Sequence, residues 1–158
     1  MAGVVGRIGG TFVGYNLTAS LQGGAITGRM GGRFKGKNLS FSFDGSSLSG
    51  RWGGAFDGKD VTCAVTDYSV AGRMGGGTFG YDLNLAFDGQ RVTGRAGGDT
   101  FGFDIDLACT ADGQMTGRFG GRTFGKDCTL QVDGLPWVIA ATLAVAVYYQ
   151  LDLDQRRN

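Results

Sequence analysis

Ile26-Thr27-Gly28-Arg29-Met30-Gly31-Gly32-Arg33-Phe34-Lys35-Gly36-Lys37-Asn38-Leu39-Ser40-Phe41-Ser42-Phe43 decides the fold. In its first half Ile26, Gly28, Met30, Gly32 and Phe34 share one parity, against Thr27, Arg29, Gly31, Arg33 and Lys35 on the other. Period-two alternation predicts a strand with one face in a core. A turn follows at Gly36-Lys37, and then Leu39, Phe41 and Phe43 alternate with Asn38, Ser40, Ser42 and Asp44, predicting a second strand. Asp44-Gly45 closes the unit, because glycine accepts the positive φ of tight hairpin turns. The unit is a β-hairpin.

The same phrase recurs along the chain. Gly-Arg pairs place arginine at 7, 29, 51, 73, 95 and 118, so the spacing is 22 residues four times and then 23. Each arginine is followed by an apolar residue, Gly-Gly, and a phenylalanine at 12, 34, 56, 79, 101 or 124. An Asn or Asp comes next, at Asn16, Asn38, Asp60, Asp82, Asp104 and Asp127. The second strands repeat an inward set: Leu17/Ala19/Leu21, Val61/Cys63/Val65, Leu83/Leu85/Phe87, Ile105/Leu107/Cys109 and Cys128/Leu130/Val132. Asp88-Gly89, Asp112-Gly113 and Asp133-Gly134 add further hairpin-turn signals. Six hairpin repeats over residues 4–134 predict about twelve antiparallel strands. Extra residues at Gly77, Asp99 or Thr100, and Arg122 or Thr123 are expected to be absorbed as bulges.

Composition narrows the function classes. With 158 residues the chain suits one domain, and 32 glycines beside a single proline and 42% hydrophobic residues exclude both a disordered linker and collagen. Fifteen Lys and Arg against 14 acids leave a charge of +1, which offers no global field for nucleic acid or an anionic membrane. Histidine is absent, removing Ser/His/Asp triads, Cys/His dyads and histidine metal ligands together. Cys63, Cys109 and Cys128 match no zinc or redox spacing and read as buried hydrophobes. The expectation is a non-enzymatic protein without cofactor or metal. Met1 to Arg7 has no secretion-signal pattern, so the expected location is the cytoplasm, with a peripheral membrane position as a variant.

The tail completes the architecture. Pro136 suits the first turn of a helix, and Trp137 to Tyr149 follows without a charge. That apolar run spans roughly 22 Å, against the roughly 30 Å of a bilayer core, so no transmembrane span is expected. Strands of about seven residues reach a similar roughly 23 Å. A twelve-strand barrel has a lumen wide enough for a helix, and glycines such as Gly28 and Gly32 are expected to point inward and let wall and helix meet. The expected organisation is one domain, 1–158: hairpins over 4–134, a central helix over 135–150, and a polar tail over 151–158.

Six hairpins followed by one apolar helix resemble, in number and order of elements and over essentially the whole chain, the tubby-like family, with its phospholipid scramblases and LURP-one-related proteins. The resemblance implies a closed twelve-strand barrel around a helix, and membrane-associated, phosphoinositide-binding or lipid-handling roles. No site residue carries over by motif. The alternative architecture is a 22-residue β-solenoid or filament-forming protein with an apolar anchor or assembly tail, against which inward glycines count because solenoid interiors stack aliphatic ladders.

Two readings of the outward charges follow. In the favoured one, the six arginines pair with the Asn/Asp column across strands. In the sharper one, Arg29, Arg33, Lys35 and Lys37 form the densest basic patch and hold lipid phosphates, with an anionic headgroup or a protein as partner. Outward Asp104 and Asp106 lack the calcium-solenoid pattern.

Overall fold

The computed structural model describes residues 2–32, 36–54, 56–76, 79–98, 101–120 and 125–156. The strands are β1 (Ala2–Gly9), β2 (Gly14–Gln22), β3 (Ala25–Gly31), β4 (Gly36–Phe43), β5 (Ser47–Trp52) and β6 (Lys59–Val65). They continue as β7 (Ser69–Gly75), β8 (Gly80–Phe87), β9 (Arg91–Gly97), β10 (Gly102–Cys109), β11 (Gln114–Gly120) and β12 (Gly125–Asp133), before the helix α1 (Trp137–Arg156). Each strand pairs antiparallel with its neighbours in sequence, and β1 pairs with β12 through Val4↔Val132 and Ile8↔Cys128. The sheet is therefore a closed barrel with no free edge. Closure sets the solenoid aside.

The alternation places side chains as expected. Leu17, Leu39, Val61, Leu83, Ile105 and Cys128 are buried, as are Ile8, Met30, Trp52, Met74, Ala96 and Phe119 on the preceding strands. Positions between them, such as Thr18, Ser40, Thr62 and Asn84, are exposed and polar. This is the inverse of a membrane-spanning barrel, whose outward band is apolar.

The helix fills the lumen. Fourteen consecutive residues, Val138 to Leu151, are buried, so the apolar run is packed on every side and is no anchor. Within this run Thr142 donates to the Val138 carbonyl at 2.7 Å, and Gln150 accepts from Trp52 Nε1 at 2.9 Å. Among the described residues no buried side-chain polar atom lacks a partner. The helix runs on past Gln150 to Arg156, so most of the expected polar tail is its last turns. Asp133-Gly134 leads into α1 and forms no hairpin. The other signals hold, with Gly45, Gly89 and Gly113 at φ 96°, 99° and 89°.

Two expectations about the first strands need correction. A Cβ on Gly28 would first meet the adjoining strand, at Thr18 O 2.2 Å and Ala19 Cα 2.7 Å away. A Cβ on its equivalents Gly6, Gly50, Gly72, Gly94 or Gly117 would likewise lie 1.9 to 2.2 Å from a carbonyl oxygen of the adjoining strand. The column lets neighbouring strands close on one another where the barrel wall curves, a place where any side chain would wedge them apart. Gly32 is exposed beyond the end of β3.

The phenylalanine column, expected inward by parity, is outside. Phe12, Phe56, Phe79 and Phe101 are 97%, 104%, 83% and 77% exposed. The strand ends too early for parity to hold: Gly9, Gly53, Gly75, Gly97 and Gly120 take φ between 88° and 105°, which turns the chain before the phenylalanine is reached. Phe34, Phe124 and the bulge positions Gly77, Asp99, Thr100, Arg122 and Thr123 lie outside the described residues.

Candidate functional site

The arginine column pairs with its partner column throughout. Arg7 and Arg29 donate to Asn16 and Asn38 at 2.9 and 2.8 Å. Arg51, Arg73, Arg95 and Arg118 donate to Asp60, Asp82, Asp104 and Asp127 at 2.7, 2.9, 2.7 and 2.8 Å. The register makes this unavoidable, since each arginine sits directly opposite its partner, as in Arg95↔Asp104. Arg7, Arg51, Arg73 and Arg95 also donate from Nε to the carbonyls of Gly10, Gly54, Gly76 and Gly98. One guanidinium thus ties a strand pair to the connection above it. Replacing Asp104 with Asn is expected to cost about 0.5 kcal/mol, because the pair is partly exposed and screened. Arg95→Gln should cost more, since only the arginine also holds the Gly98 carbonyl. Urea denaturation of both variants checks the order.

Arg29, like Arg7, has a neutral amide as its pair partner. It lines a cavity of about 330 Å³ together with Tyr15, Lys37, Gln150 and Asp154. Lys37 donates from Nζ to Asp57 at 2.7 Å. Asp154 accepts from the Tyr15 hydroxyl and, at 2.8 Å, from Gln150. Burial first, and then the Asp154 carboxylate, push the Tyr15 hydroxyl well above its usual range. Of the basic patch named from sequence, Arg29 and Lys37 share this cavity, while Arg33 and Lys35 lie outside the described residues.

The cavity opens on the rim that carries the phenylalanines. Two further clefts there, of about 340 and 350 Å³, run past Phe101, the first of them also touching Phe79 and, on α1, Tyr149 and Asp152. Among the described residues this rim and the strand ends beside it carry Arg7, Arg29, Lys37, Lys59, Lys126 and, on α1, Arg156 against Asp57, Asp152 and Asp154, besides the four Arg–Asp pairs. Exposed phenylalanine tips and an excess of positive charge therefore belong to one end of the barrel. By strand parity alone these tips read as core. The sign that could have found them is the Gly-Gly pair before each one, which ends a strand.

The thiols hold no chemistry of this kind. Burial pushes Cys63 and Cys128 up to about 11 and about 12, so neither forms a thiolate near neutral pH. Compared with known protein families, curated proteins and solved structures, the chain finds no match.

Proposed function

We propose that this chain is a non-enzymatic binding module of tubby-like architecture that docks onto an anionic lipid surface with its phenylalanine rim, from a peripheral position in the cytoplasm. The observation that carries the reading is the exposure of Phe12, Phe56, Phe79 and Phe101 at one end of the barrel. An exposed phenylalanine gains roughly 1.5–3 kcal/mol on leaving water, so four tips at one end supply enough for reversible attachment. Lys37, Lys59 and Lys126 suit the negative surface of an anionic leaflet, and the cavity beside Arg29 offers its guanidinium to a headgroup phosphate. The remaining arginine column stays engaged in its pairs, so attachment depends mainly on the aromatic tips.

Co-sedimentation with vesicles of phosphatidylcholine and phosphatidylserine tests this. The protein is expected to pellet with them, with only a modest loss between low and physiological salt, and the variant Phe12→Ser, Phe56→Ser, Phe79→Ser, Phe101→Ser is expected to stay in the supernatant. A wild-type protein that never pellets, or a variant that pellets equally, overturns the reading.

A further inference from the structure

The opposite end of the barrel has the complementary character. Its turns carry Asp44, Asp67, Asp88 and Asp112, and Asp133 ends β12 beside them; all five are exposed. The nearby cation Arg91 is taken by Asp106, at 2.6 Å. Three of the acids are locked into the turns they close. Asp44 accepts from the backbone N–H groups of Ser46 and Ser47, and Asp88 from those of Gln90 and Arg91. Asp112 is held by the Thr110 hydroxyl and the Gln114 N–H. These bonds favour the ionised form, and they draw Asp44 down to about 2 and hold Asp88 and Asp112 below the usual carboxylate range. The same rim exposes Tyr68, 64% accessible and stacked on Phe87.

One chain therefore carries a basic, phenylalanine-tipped rim and an acidic rim of the same circumference, each built from one connection per 22-residue repeat. We propose that a second copy of this chain is the partner of the acidic rim, so that barrels stack head to tail, phenylalanine rim on aspartate rim. Twelve strands about 4.8 Å apart and tilted about 40° give a backbone diameter of roughly 24 Å. With side chains, the disc at each end is about 800 Å², the size each partner contributes to a standard stable interface. The match extends to spacing. Both rims repeat about every 60° around the barrel axis, so the tips of one copy fit between the turns of the next, with cations facing carboxylates. Such a contact is heterologous and does not close on itself, so the product is an open column. This inference goes beyond lipid docking because it uses the rim that docking leaves idle. A column's last copy still presents its phenylalanines.

The test is sedimentation velocity on the full chain and two variants, with circular dichroism to confirm that all are folded. One variant loses the aromatic tips: Phe12→Ser, Phe56→Ser, Phe79→Ser, Phe101→Ser. The other loses the acidic rim while keeping its turn acceptors: Asp44→Asn, Asp88→Asn, Asp112→Asn, with Asp67→Lys and Asp133→Lys. In low salt the wild-type mass is expected to rise with concentration and each variant alone to remain a monomer. Mixing the two variants is expected to give a particle of twice the monomer mass, because each retains the rim that the other lacks. A wild type that is monomeric at every concentration in low salt, or a mixture that fails to pair, overturns the proposal. The acidic-rim variant should still pellet with anionic vesicles, so failure of stacking and failure of lipid docking are separately visible.

Discussion

A chain ending at Gly134 is expected to lose its fixed tertiary structure. Removing α1 strips the lumen of Val138, Ile139, Leu143, Val145, Val147 and Leu151, all buried. At about 1.5–3 kcal/mol each, these six alone reach the 5–15 kcal/mol that holds a typical domain together. The wall cannot compensate by collapsing, since twelve strands enclose more space than their own side chains fill. The truncated chain should bind a hydrophobic dye and lose its near-UV circular dichroism, with secondary structure partly retained. A truncated protein that stayed soluble with sharp near-UV signals would show that the helix is dispensable.

Alanine at the inner glycine column is expected to have the next largest effect. A methyl on Gly94 would lie 1.9 Å from the Asn84 carbonyl oxygen, and one on Gly117 2.0 Å from that of Asp106. The obstructing atoms are backbone atoms of a paired strand, so relief requires breaking register, and the cost should reach or exceed the roughly 1–3 kcal/mol typical of over-packing. For a domain of this size each kcal/mol moves Tm by about 2–4 °C. Gly98 provides the control, because a Cβ there meets nothing within 4 Å. Gly31, although at an outward parity, is no control, since its φ of 142° strains any side chain. Equal Tm losses for Gly94→Ala and Gly98→Ala would sink the assignment of the column to strand contacts.

Much of this architecture was legible in the residues. The 22-residue period, the alternation from Ile26 to Met30 and from Leu39 to Phe43, and the uncharged run from Trp137 to Tyr149 suffice for twelve strands and a central helix. The arginine pairing was legible too, because a fixed offset of nine residues within a hairpin sets Arg95 opposite Asp104. What could not be read is where each strand stops. Parity carried forward from Met30 puts Phe34 inside, yet the repeated Gly-Gly pair turns the chain first, and the equivalents Phe12, Phe56, Phe79 and Phe101 emerge at a rim. The glycines were assigned to the helix for a related reason. A strand pattern says which face a residue occupies, but it is silent on how sharply the wall bends there, and that bend brings Thr18 O against Gly28. The cavity between Arg29 and Asp154 joins residues 125 positions apart, which only the closed ring brings together.

The pairing of β1 with β12 around α1 also governs how such a gene can change. Near-identical units invite unequal recombination, and an open array would accept a unit more or less with little penalty. Here a duplicated hairpin would add two strands, roughly 10 Å of spacing, and so widen the tube by about 4 Å in diameter. The sleeve left around the helix would be about 2 Å wide, too narrow for a layer of side chains and wide enough to forfeit most dispersion contacts. A lost hairpin would pinch the tube onto the helix by the same amount. The helix thus acts as a gauge of copy number, and a lineage could depart from six units only by changing its plug at the same step.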